Sequence, residues 1–131
     1  MLSLYNLGFT DMEIKNILEL CPETKTLTDE EILINIEILK RIKCNDRQIK
    51  NIISSNPYYL NRGLEDISGL INKLINIGIT NVNLLFDSNP YLLNKDAYEI
   101  DEYIKIEQDK GKDIEDIKDE LESNPYIIDE I

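Results

Sequence analysis

Proline occurs at positions 22, 57, 90 and 125 of the chain and nowhere else. The intervals are 35, 33 and 35 residues. A proline has no N–H to give a helix and forbids helical backbone in the residue before it, so each one marks a break between helical segments. Breaks at a near-constant period of this length are the mark of a repeat architecture, in which each copy is one supersecondary unit and neighbouring copies share a core.

The flanks of the prolines repeat as well. Eight residues before them stand Ile14, Ile49, Val82 and Ile117; four before stand Leu18, Ile53, Phe86 and Leu121; ten after stand Ile32, Ile67 and Ile100. These are apolar positions at helical spacing. Twelve before three of the prolines stand Thr10, Asn45 and Asp113, whose side-chain oxygens suit a helix N-cap; the shorter third copy offers Thr80. "TDME" and "NDRQ" add the Glu or Gln of a capping box. Gly8, Gly78 and Gly111 precede three of these caps by two residues and suit the left-handed close of a helix; Lys43 in the second copy calls for a different C-cap.

"SNPYYL", "SNPYLL" and "SNPYII" then read as corners. The helix stops at the serine, Asn56, Asn89 or Asn124 caps a new start, and the proline takes the first helical position. The next three residues are expected to form one short apolar turn in the core, with Tyr58, Leu60, Leu93 and Ile128 buried and Tyr91 and Tyr126 packed like Tyr58. Asn61, Asn94 or Thr28 is expected to start the next long helix. Long helices fall near 28–43, 64–77 and 96–110, and second helices near 11–20, 46–54, 81–87 and 114–122. In 28–43, Ile32, Ile36 and Leu39 form one stripe and Ile34, Ile38 and Ile42 another, which predicts burial on two sides. The expected fold is all-α: one domain, 1–131, forming an α-solenoid of about three and a half helix–turn–helix repeats, at about 1–27, 28–63, 64–95 and 96–131.

The stretches "LGFTDMEIKNILELCP" (7–22), "NPYYL" (56–60) and "NPYLLNKDAYEIDEYIKIEQDKG" (89–111) carry a resemblance to the helical repeat of the mitochondrial transcription termination factor (mTERF) family. The resemblance covers essentially the whole chain. It implies a repeat of two antiparallel helices and a short third helix opened by proline. It also implies a curved array whose concave face binds double-stranded nucleic acid through Arg and Lys.

Charge points elsewhere. The chain is net −12, and residues 63–131 hold 6 basic against 17 acidic side chains. Such a field repels nucleic acid and anionic lipid and favours a basic partner. The first reading is therefore a non-enzymatic interaction module that offers a curved acidic surface to a protein partner, or associates with itself through the apolar turn Tyr126–Ile128. The alternative is a duplex nucleic-acid binder using the one basic island, "KRIKCNDRQIK" (40–50), with Lys40, Arg41, Lys43, Arg47 and Lys50 as phosphate contacts. Tyr58, Tyr91 and Tyr126 have the stacking surface for bases, but their repeated place after proline favours packing.

No cofactor, metal or small-molecule substrate is expected. Asp109, Asp113 and Glu120 fall at positions one, five and twelve of a calcium loop, but Ile114 stands where that loop needs its glycine. The carboxylates at 113–122 have no histidine or phosphate-binding glycine loop beside them. Two isolated cysteines, Cys21 and Cys44, and an N-terminus without a basic start and apolar run fit a reducing cytoplasm. No 18-residue apolar run suggests a membrane span.

Overall fold

A computed structural model describes residues 1–130 of the chain. Among the described residues it is all helical, without strands. The α-helices are α1 (Leu2–Asn6), α2 (Asp11–Leu20), α3 (Asp29–Arg41), α4 (Asp46–Ser55), α5 (Leu64–Asn76), α6 (Val82–Ser88), α7 (Ala97–Asp109) and α8 (Ile114–Ser123). Short 3₁₀ turns follow α2, α4 and α6 and begin on Pro22, Pro57 and Pro90; a fourth, Ile127–Glu130, follows Pro125. None of the prolines lies inside a continuous helix. Ile131, the last residue of the fourth expected repeat, lies outside the described residues.

Local chemistry explains where the helices start. Thr10, Thr28 and Asn45 each accept from the backbone N–H three residues on, while Glu13, Glu31 and Gln48 accept from the cap's own N–H. Asp113 accepts from Asp116 N–H at 2.8 Å. Three expected starts shift. α6 begins after Asn81, not Thr80, and Asn81 makes no side-chain cap bond. α5 and α7 begin after Gly63 and Asp96, so Asn61 and Asn94 end the preceding corners instead of opening the long helices.

The long helices end alike. Gly8, Gly78 and Gly111 have φ of 94°, 107° and 94°. In each case the next N–H reaches back to the carbonyl of Leu4, Leu74 or Glu107. Lys43 was expected to need another cap, yet it adopts the same left-handed backbone, φ 76°, and Cys44 N–H reaches Leu39 O at 3.0 Å. The neighbouring helices impose this turn on a side chain that resists it, at a cost of roughly 1–2 kcal/mol. Lys43→Gly is expected to raise stability by about 1 kcal/mol in urea unfolding while Lys43→Ala leaves it unchanged. A glycine variant no more stable than the alanine variant would show that the turn is unstrained.

The corners differ from expectation in what faces inward. A 3₁₀ helix has three residues per turn, so positions i and i+3 lie over one another. Pro57 and Leu60 are buried together, as are Pro90 and Leu93; Tyr59 and Leu92 turn inward beside them. The residue just after proline is left facing out. Tyr58, Tyr91 and Tyr126 are 51%, 54% and 48% exposed, a correction to their expected burial, whereas Leu60, Leu93 and Ile128 are buried as expected. Tyr58 keeps one tie, donating from its hydroxyl to Leu20 O at 3.1 Å.

The asparagines before the prolines also do other work. Asn56 and Asn89 make no cap bond to their own turns. Fully buried, Asn56 donates to Pro90 O at 3.0 Å and to Asn94 Oδ1 at 2.9 Å, and its Oδ1 accepts from Asn94 Nδ2 at 3.1 Å. Asn89 repeats this one step on, donating to Pro125 O at 3.0 Å and Asp129 Oδ2 at 3.2 Å. Asp129 carries no amide to return, and among the described residues Asn89 Oδ1 has no hydrogen-bond partner. Cys21 takes the same place at the first corner, where its Sγ accepts from Asn61 Nδ2 at 3.2 Å. Each corner is thus clamped to the next. Asn124 has no following corner among the described residues; it is exposed and accepts locally from Tyr126 N–H at 3.3 Å.

One core runs the length of the chain, from Leu4 to Ile128. At equivalent places it contains Leu4 with Phe9, Leu39 with Cys44, and Leu74 with Ile79. In the fourth such place stand Glu107 and Lys112, an ion pair at 2.7 Å. Lys112 also reaches Glu120 at 2.8 Å and Lys110 reaches Glu107 at 3.0 Å. These ammonium donors hold the buried Glu107 carboxyl below the usual carboxylate range, Lys112 first and Lys110 second.

Candidate interaction surface

The basic island 40–50 spans the end of α3, the Lys43 turn and the first half of α4. Three of its five cations are tied to carboxylates of their own chain. Lys40 pairs with Glu37 within α3 at 3.7 Å. Arg47 pairs with Asp87 of α6 at 3.2 Å, and Asn51 donates to the same carboxylate at 2.8 Å. Lys50 points the opposite way, toward α2: it donates to Gly8 O at 3.1 Å, lies 3.5 Å from Glu13 and sits over the Phe9 ring. Arg47 and Lys50 are therefore ties between neighbouring helices. Among the described residues, neither Arg41 nor Lys43 is in a salt bridge.

The other candidates resolve in the same manner. Asp113 caps α8 and Glu120 pairs with Lys112, so two of the three calcium-loop carboxylates serve the helix pair α7–α8. Among the described residues no group of three His, Cys, Asp or Glu is placed to hold a metal ion. Cys21 and Cys44 are free and buried, and burial pushes the Cys44 thiol up to about 12. Among the described residues no helix is long and apolar enough to cross a membrane.

An open cleft lies between α3 and α5, and sequence reasoning missed it. Its volume is about 490 Å³; Leu33, Ile34 and Ile38 line one side and Leu64 the other, with Glu30, Glu37 and Arg41 at the rim. A second opening of about 260 Å³ shares Ile34 and Leu64 with it and continues past Leu27 and Glu31. Ile34 and Leu64 are 49% and 52% exposed and Leu33 is 42% exposed. Only part of the second expected stripe of α3 is therefore covered: Ile38 is buried, Ile42 half-buried and Ile34 open.

The cleft has a cause in the repeat register. α5 and α7 pack closely, and Gly69 faces Ala97; a Cβ on Gly69 would stand 3.9 Å from that of Ala97. One period earlier, the residues in those places are Ile34 and Leu64. Interaxial distance follows the size of side chains at the contact, so the small pair lets α5 and α7 close while the large pair holds α3 and α5 apart. α3 packs instead on the Pro57 corner, where Asn35 Nδ2 donates to the carbonyls of Tyr59 and Leu60 at 3.0 and 3.1 Å. Aligning the two pairs by distance from proline would have flagged the cleft from sequence.

Compared with family models, with curated proteins and with solved structures, the chain matches none of them.

Proposed function

We propose that the chain is a short α-solenoid of about three and a half repeats, of the kind the mTERF family resemblance implies. It acts in the cytoplasm as a non-enzymatic module that binds a protein partner through a curved, acidic surface. The observation that carries this reading is the use of the basic island: Lys40, Arg47 and Lys50 already face carboxylates of their own chain. A duplex carries one negative charge per roughly 1.7 Å of axis, so holding one requires several uncommitted cations on one surface. The buried polar side chains Asn35, Asn56 and Gln48 are also engaged, each bonded to backbone of its own fold. An open apolar cleft with acidic residues at its edge suits a protein better than a phosphate backbone.

The competing reading is a duplex binder that uses Lys40, Arg41, Lys43, Arg47 and Lys50. A gel shift with duplex DNA and duplex RNA at physiological salt separates the two. We expect no shift, and no change when the five are replaced by Gln. Salt-sensitive, sub-micromolar binding that the five substitutions abolish would replace the first reading with the second.

A further inference from the structure

We infer that the α3–α5 cleft is a docking groove for an amphipathic helix of a partner protein, with apolar residues along one face and lysine or arginine beside them. This names the partner class of the protein-binding reading above and rests on it.

Three observations converge on that occupant. The first is the shape of the opening. The groove lies along α3, whose 13 residues make it about 20 Å long, the length of a helix of about 13 residues. Its floor presents aliphatic side chains at positions 33, 34 and 38 of α3, with Leu64 opposite. A helix lays residues at i, i+3, i+4 and i+7 into a groove of this kind. The equivalent space between α5 and α7 is closed by the chain's own helices, whereas here the aliphatic face of α3 stays open beside Leu64.

Charge is the second observation. Glu30, Glu31 and Glu37 lie along the groove from the first turn of α3 onward, and Arg41 stands at the far end. Lys40, next to it, is already paired with Glu37. The complementary helix therefore carries its cations over the first two turns of α3. A second copy of this chain suits the groove poorly, since it is itself net −12 and its helices bring carboxylates to a rim of carboxylates.

The third is that the neighbouring cation is not free to neutralise the rim from within. Arg62 borders the second opening, but its guanidinium donates to Leu93 O, Lys95 O and Asp96 Oδ1 at 3.1, 2.8 and 2.9 Å. With Glu37 matched by Lys40 and Glu31 bonded to Thr28, it is the first turn of α3, at Glu30 and Glu31, that is left for an outside cation.

The test uses the full chain and three labelled synthetic peptides, followed by fluorescence anisotropy at physiological salt. One peptide is a helix with leucines on one face and lysines on its flanks. The second replaces the lysines by glutamates, and the third scrambles the first. The lysine helix is expected to bind, and the other two at least about tenfold more weakly. Leu33→Lys with Leu64→Lys should weaken the lysine helix by about tenfold or more, as loss of a central anchor does. Both residues are about half exposed, so this variant is expected to fold, which circular dichroism checks. A second variant, Ile34→Gly with Leu64→Ala, installs the small pair of α5–α7 and should close the groove with the same loss. Equal binding of the lysine and glutamate helices, or undiminished binding by the Leu33→Lys, Leu64→Lys variant, would overturn the groove assignment. So would a dimer of the native chain that this variant converts to monomer, because the occupant would then be a second copy. Failure here with no duplex binding removes only the groove; duplex binding removes the protein-binding reading itself.

Discussion

Asn56→Ala is expected to cost about 3 kcal/mol of folding stability. The side chain is fully buried and makes three hydrogen bonds to the next corner, two to Asn94 and one to Pro90 O. Alanine removes all three and leaves buried groups on the other side without partners, each at about 1–3 kcal/mol. Asn124 supplies the internal control. It occupies the same place relative to proline but is exposed and, among the described residues, bonds through its side chain only to Tyr126 N–H, so Asn124→Ala is expected to change stability by less than about 0.5 kcal/mol. Urea unfolding of the two variants measures both numbers. Equal effects would mean that the asparagine acts as a local cap after all, and that the corner-to-corner clamp adds little.

Phe86→Ala is expected to cost about 4 kcal/mol, in the range found when large side chains are removed from closed cores. Phe86 is fully buried on α6, the shortest of the second helices, between the corners that follow α4 and α6. Neighbouring clamps, Asn51 to Asp87 and Asn89 to Pro125 O, hold the backbone on both sides, so the site has little freedom to collapse into the cavity. Leu18 stands at the same distance before its own proline but is only half-buried on α2. Leu18→Ala is expected to cost about 1–2 kcal/mol, the transfer term without a closed cavity. Thermal or urea unfolding gives the comparison. A Phe86→Ala loss no larger than that of Leu18→Ala would show that α6 repacks freely and that the core is not held in the register described here.

Much of the local structure is legible in single residues. The helix starts at Thr10, Thr28 and Asn45 follow from hydroxyl or amide oxygens three residues before a Glu or Gln. The helix ends at Gly8, Gly78 and Gly111 follow from glycine's freedom at positive φ. The 3₁₀ turns follow from proline, which stops one helix and opens the next turn. Each of these effects acts within about four residues along the chain, so a sequence holds all the information it needs.

What the tertiary structure decided lies beyond that reach. Asn56 has the residue type of a cap, and only the corner 34 residues on turns it into a clamp. Tyr58 has the composition of a core residue, but three residues per turn and a neighbour on two sides leave it facing out. Lys43 is held left-handed by helices that pack on either side of it. Arg47 and Lys50 read as a basic island until Asp87 and Glu13 arrive from helices on opposite flanks. The α3–α5 cleft exists because Ile34 meets Leu64 where Gly69 meets Ala97 one period later, a contrast that acts only once the helices are side by side. By itself the sequence determined where this chain turns, through forces local to the backbone. The packing of one turn against the next decided which side chains it buries, pairs or leaves open, because those contacts join residues 24 to 40 positions apart.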